Sequence, residues 1–156
     1  MSIQLLRKAV FTLSIVAVAL FAADNPFAGT WKLNAAKSKL AGTGIGASGG
    51  VRIESDGTTF KAFVDTTDEK GQPIKYDYQG TLDGKPGKVT GSSAIDELSL
   101  KRVNAHTIDA TGKKDGKVVY TDKRTVSPDG KTYTISRAGT SPDGKKYHAT
   151  IVFDKQ

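Results

Sequence analysis

From Trp31 to the end of the chain, apolar and polar residues alternate almost throughout with a period of two, and tight-turn residues interrupt the alternation at short intervals. A period of two sends successive side chains to opposite faces, so the pattern describes strands with one buried and one wet face. Phe60, Ala62 and Val64 alternate with Lys61 and Asp65; Ile74, Tyr76 and Tyr78 alternate with Lys75, Asp77 and Gln79. Asp-Gly-Lys recurs at Asp83, Asp115, Asp129 and Asp143, the last two copies as Ser-Pro-Asp-Gly-Lys. Asp-Gly supplies the backbone freedom of a hairpin turn, and a preceding Pro presets it. The last three copies stand 14 residues apart, one strand plus one turn.

Ten strands follow, over 29–33, 51–55, 58–65, 73–80, 87–90, 97–103, 107–112, 117–126, 131–138 and 146–153. The fifth carries the weakest pattern. Helical spacing occurs only around Asn34–Leu40, where Asn34 can cap a short helical segment after strand one. Ten antiparallel strands can form a sandwich or a barrel. An even count in a simple meander leaves the first and last strands antiparallel, free to pair and remove both edges. The expected fold is therefore all-β, an antiparallel up-and-down β-barrel.

The alternation is absent from the start of the chain. Arg7 and Lys8 precede an uncharged apolar run, Ala9–Ala22, and the polar Asp24-Asn25-Pro26 follows Ala23. Residues 1–22 read as a secretory signal peptide, too short in its apolar part to span a bilayer comfortably. The expected product is an exported, periplasmic or extracellular domain over 23–156, with no membrane insertion after cleavage. Removing Arg7 and Lys8 lowers the formal charge from +7 to +5, and about 31% of the remaining residues are apolar. That is little for a solid core. The chain has no Cys, so disulfides, a thiol nucleophile and thiolate metal sites are excluded. With only His106 and His148, a multi-histidine metal site is excluded too, and no metal or cofactor is expected.

The stretch Phe27-Ala28-Gly29-Thr30-Trp31-Lys32-Leu33 resembles the opening of the calycin superfamily, the lipocalins and fatty-acid-binding proteins. It is also similar to small secreted bacterial lipocalin-like proteins. The resemblance extends to the helical segment after strand one and to a meander ending near Val152-Phe153-Asp154-Lys155. It implies that Gly29 and Trp31 close the barrel base, with an arginine packed over the Trp ring. Arg124, a few residues before an Asp-Gly-Lys turn, is similar to the interior arginine that grips a ligand carboxylate in fatty-acid-binding proteins. The last strand, Ala149-Thr150-Ile151-Val152-Phe153, departs from that pattern by lacking the second arginine and its tyrosine.

Face assignment brings some polar groups inside. Val118, Tyr120, Asp122, Arg124 and Val126 share a face, as do Tyr133, Ile135 and Arg137, and Leu98, Leu100 and Arg102. Buried unpaired charge is costly, so these arginines must pair, reach the rim or await an anion. Strand direction puts Arg102 and Arg124 near the closed end and Arg137 at the open mouth. Three roles stay open: Arg124 or Arg102 as a partner of Trp31 neutralised by Asp122, a grip of Arg124 on a ligand, or exposure at the rim.

Other motifs read as structure. Gly42–Gly50 contains a GxGxxG (Gly44, Gly46, Gly49) and a GxSxG around Ser48, yet neither has the strand–turn–helix context its chemistry needs. The stretch reads as a flexible loop or lid. Asp65, Asp68, Glu69 and Gly71 read as a hairpin turn without calcium-loop spacing. The lysines are scattered over turns and outward faces, so no nucleic-acid platform is expected. An enzyme is not expected, because the ionisable groups at the mouth reduce to Asp122 with arginines. The preferred function is binding or carrying a small, largely apolar ligand within the barrel of a monomer. Tyr76, Tyr120, Arg124, Tyr133, Ile135, Arg137, Tyr147 and Ile151 would line the site, and Gly29, Trp31, Arg102 and Arg124 would form the base. The alternative is a cell-envelope interaction module with a filled barrel and no small-molecule ligand.

Overall fold

The computed structural model describes residues 25–156; the segment read as a signal peptide, 1–22, lies outside the described residues. Ten antiparallel strands close into one up-and-down barrel. They are β1 (Gly29–Leu33), β2 (Ile45–Ser55), β3 (Thr59–Asp68), β4 (Pro73–Thr81), β5 (Asp83–Thr90), β6 (Glu97–Asn104), β7 (Thr107–Lys114), β8 (Lys117–Val126), β9 (Thr132–Thr140) and β10 (Lys146–Lys155). Each strand pairs with its chain neighbours, and β1 closes on β10 through Trp31↔Lys155, Lys32↔Asp154 and Leu33↔Phe153.

The turns do what their residues allow. Asp115 and Gly116 both adopt positive φ, 50° and 76°, and join β7 to β8 with Lys114 opposite Lys117. In the Ser127–Thr132 turn, the Asp129 carboxylate accepts from Ser127 Oγ (2.5 Å) and from the Lys131 amide (3.1 Å), while Gly130 takes φ 72°. The Ser141–Lys145 turn repeats this arrangement through Asp143.

The closure seam is longer than β1. Beyond Leu33 the chain makes a single 3-10 turn, Ala35–Lys37, capped by the Asn34 side chain (3.0 Å to the Lys37 amide). This connection runs on along the edge of β10: the Asn34 amide donates to Val152 O (2.8 Å), and Lys39 exchanges two backbone hydrogen bonds with Thr150 (2.7 and 3.0 Å). It covers the outer side of Val152, which is why three consecutive residues, Ile151, Val152 and Phe153, are all buried. The barrel thus has no free edge between β1 and β10.

Four sequence expectations change. The stretch 42–50 is not a lid, because β2 begins at Ile45 and carries the glycines within the sheet. A Cβ at Gly46, Gly49 or Gly50 would lie 2.1–2.3 Å from a backbone carbonyl oxygen of Asp68, Asp65 or Trp31, so close strand approach, not mobility, accounts for them. The fifth strand is longer than 87–90, and the Asp83 copy of Asp-Gly-Lys lies inside β5 instead of joining two strands. A register shift between Asp83 and Pro86 leaves that segment poorly laddered, which hides it from a period-two reading. Finally, Val118 is exposed: opposite the step from Gly112 to Lys113, β8 carries one extra residue, Val119, and this bulge turns Val118 outward while Val119 packs against the core.

The base of the barrel is aromatic. Phe27, Trp31, Phe60 and Tyr133 are each 1% exposed. Trp31 Nε1 donates to Phe27 O (2.8 Å), and its ring centre lies 5.5 Å from that of Tyr133. The cation on the Trp31 ring is Lys155, with Nζ 4.6 Å from the ring centre and donating to Ala28 O. Gly29, at φ 133°, leaves room for it, since a Cβ there would sit 2.8 Å from Lys155 Nζ.

Candidate functional site

Above this base lies a cavity of about 520 Å³. It opens at the barrel end opposite Trp31, between Thr43 and Ile45, the start of β4 at Pro73–Lys75 and the β5–β6 connection at Ser92–Ala94. In a ring of ten strands β8 faces β3 and β9 faces β4. The cavity is therefore two-sided: β2 and β3 present Val51, Ile53, Phe60, Ala62 and Val64, whereas β8 and β9 present Tyr120, Arg124, Tyr133 and Arg137.

The polar wall is organised by one carboxylate. The Asp122 side chain is completely buried, and both its oxygens are engaged. Arg137 donates from Nε to Oδ1 (2.7 Å) and from Nη2 to Oδ2 (2.9 Å), a bidentate fork. Arg124 donates from Nε (3.1 Å) and Nη2 (2.8 Å) to Oδ2. Burial alone would push the Asp122 carboxyl up; the two guanidiniums and their hydrogen bonds outweigh it and hold it below the ordinary carboxylate range. Burial pushes the Tyr120, Tyr133 and Tyr78 phenols up, so all three are neutral at physiological pH. Two cations against one anion leave one surplus positive charge inside the barrel. The arginine side chains, 8% and 10% exposed, belong to the cavity lining, where an anion could meet them.

Tyr78, on β4, bears the one buried side-chain polar atom without a hydrogen-bond partner among the described residues, its hydroxyl oxygen. The side chain lies over Gly80 and Gly87, where a Cβ would come within 2.1 Å of the Tyr78 hydroxyl and 2.5 Å of its ring, respectively. The ladder behind it is short, since β4 and β5 pair only through Asp77↔Thr90, Tyr78↔Val89 and Gln79↔Lys88.

Of the residues expected to line a site, Tyr76, Tyr120, Arg124, Tyr133, Ile135, Arg137 and Ile151 all face this cavity. Tyr147 does not; its ring lies across Gly139 and Gly42, in the positions Cβ atoms would occupy 2.5 and 2.7 Å away. Arg102 is not part of the base: it is exposed, its guanidinium passing near Gly57 in the β2–β3 turn. At the last inward position of β6, with no buried carboxylate to meet, a cation reaches water at lower cost than it enters the core. The cation over the Trp31 ring is Lys155, and Arg124 is instead bound to Asp122. Arg137 does not sit free at the mouth, because it is tied to Asp122.

The β2–β3 wall and the Asp122–Arg137 bridge escaped the sequence reading. A signal for the bridge existed. Counting back from the Ser127–Thr132 turn pairs Val126 with Tyr133, Arg124 with Ile135 and Asp122 with Arg137, the observed register.

The chain matches no protein-family profile and no curated protein. The closed ten-strand antiparallel barrel is consistent with a calycin-like fold.

Proposed function

We propose that this protein is an exported, monomeric calycin-like carrier that holds a small, largely apolar molecule with one anionic group in the barrel cavity. The observation that carries the reading is the surplus positive charge of Arg124, Asp122 and Arg137 on one wall of a cavity of about 520 Å³ whose opposite wall is apolar. Burying ligand hydrocarbon against Val51, Ile53, Ala62 and Val64 supplies affinity at about 25 cal/mol per Å², and the arginines supply orientation. Export rests on the composition of residues 1–22. A catalytic role has little support, since Asp122 is locked between two cations and the buried tyrosines resist ionisation. A filled barrel acting only through its surface would leave the cavity without a purpose.

Native mass spectrometry of the protein isolated from its exported fraction tests the carrier reading. We expect one small molecule per chain, and loss of that mass in Ala62→Leu, which projects extra volume from the apolar wall. An empty protein that also shows no thermal shift with anionic or neutral lipids would refute it.

A further inference from the structure

Gly112 on β7 pairs directly with Tyr120 on β8 and is buried. The Tyr120 ring lies on it: a Cβ at Gly112 would come 2.5 Å from Tyr120 Cζ and 2.8 Å from both Cε atoms. β9, on the other side of β8, supplies Arg137, whose guanidinium carbon stands 3.5 Å from the Tyr120 ring centre. The ring is therefore held between a bare backbone and a cation, and that cation is forked onto Asp122, which also binds Arg124. Gly112, Tyr120, Arg137, Asp122 and Arg124 form one continuous stack along the polar wall. The φ of Gly112 is not in the left-handed region, so the backbone itself does not demand glycine, and the nearest obstacle to a side chain is the Tyr120 ring.

Resting on the carrier reading, we propose that Gly112 is a specificity determinant that makes the cavity selective for anionic over neutral ligands of the same shape. By letting Tyr120 lie flat on the wall, it sets the height at which Arg137 presents its unpaired N–H groups to the cavity. A methyl at this position lifts the ring, and the ring displaces the guanidinium stacked on it. The apolar wall across the barrel is untouched, so a neutral ligand loses little.

Two fluorescent probes of the same skeleton isolate the effect: anilinonaphthalene sulfonate and its uncharged parent, phenylnaphthylamine. The unaltered protein is expected to bind the sulfonate at least about tenfold more tightly than the parent, the scale of one charge-assisted hydrogen bond. Gly112→Ala should remove that preference while changing the parent's affinity by less than about twofold, well inside one neutral contact. Read as a cycle, Gly112→Ala should have no effect on binding or melting temperature in a Tyr120→Leu background, where no ring remains to be lifted. That background keeps the test valid if Gly112→Ala alone does not fold. An unchanged sulfonate preference in Gly112→Ala, or an equal cost of the alanine with and without the Tyr120 ring, would overturn the proposal. If the unaltered protein binds neither probe, the carrier reading fails and takes the selectivity with it, while the melting-temperature cycle still reports whether Gly112 supports Tyr120.

Discussion

Replacing Asp122 with Asn removes the charge that holds two buried arginines and changes little else in shape. Asp122 accepts four hydrogen bonds at 2.7–3.1 Å from Arg124 and Arg137, and its side chain has no exposure. At about 1.5–3 kcal/mol each, a sum over those bonds would reach about 6–12 kcal/mol. That sum overstates the loss, because the carboxylate gave up its hydration to be buried and the Asn carbonyl keeps part of the acceptor set. The measured cost of breaking a buried ion pair, about 3–5 kcal/mol, is the better guide, with the two stranded cations placing it at the upper end. For a domain of this size that lowers the melting midpoint by about 12–20 °C. Urea titration and calorimetry of Asp122→Asn beside the unaltered protein measure it directly. A combined Asp122→Leu, Arg124→Met, Arg137→Met variant should recover most of the stability, since apolar packing replaces a buried network at little cost. A loss below about 1 kcal/mol in Asp122→Asn, or a triple variant no more stable than it, would refute the view that this carboxylate neutralises the wall.

Acid should act through the same group. The Asp122 carboxyl is held below its unfolded value near 3.9, so its contribution is complete above about pH 4 and is lost as pH falls through the lower folded value. The arginines stay charged throughout; urea midpoints between pH 5 and 2 should fall steeply, and the part due to Asp122 should be missing in Asp122→Asn. Tyr78→Phe removes a buried hydroxyl without a partner among the described residues, so denaturation should show no loss, or a gain of up to about 1 kcal/mol. Hydrogen exchange should be fastest, among the strands, in β5. It pairs with β4 through three residues, contains Pro86, and breaks register against β6. Protection in β5 equal to that of β8 would contradict this.

Much of this molecule was legible in its residues, and the limits have a common cause. Period-two alternation and Asp-Gly turns determine the strands and their order, because each depends on neighbours within a few residues. The same alternation places Tyr76, Tyr120, Tyr133, Ile135 and Ile151 on the inner face, where the cavity is. It fails where pairing across strands breaks the period: a bulge turns Val118 out, the β10 edge draws the chain after Leu33 along it, and Gly46, Gly49 and Gly50 are strand residues under neighbouring carbonyls. Charge is harder still. Arg102, Arg124 and Arg137 have the same inward parity in the sequence, yet one reaches water and two share a carboxylate. Parity says which way a side chain starts; only the closed barrel decides whether it meets a partner, a solvent rim or an open space. The sequence by itself therefore determined a ten-strand meander, through local backbone preference. The tertiary structure alone decided that the barrel encloses a cavity and that Asp122 leaves one positive charge inside it, because volume and electrostatic pairing belong to strands far apart in the chain.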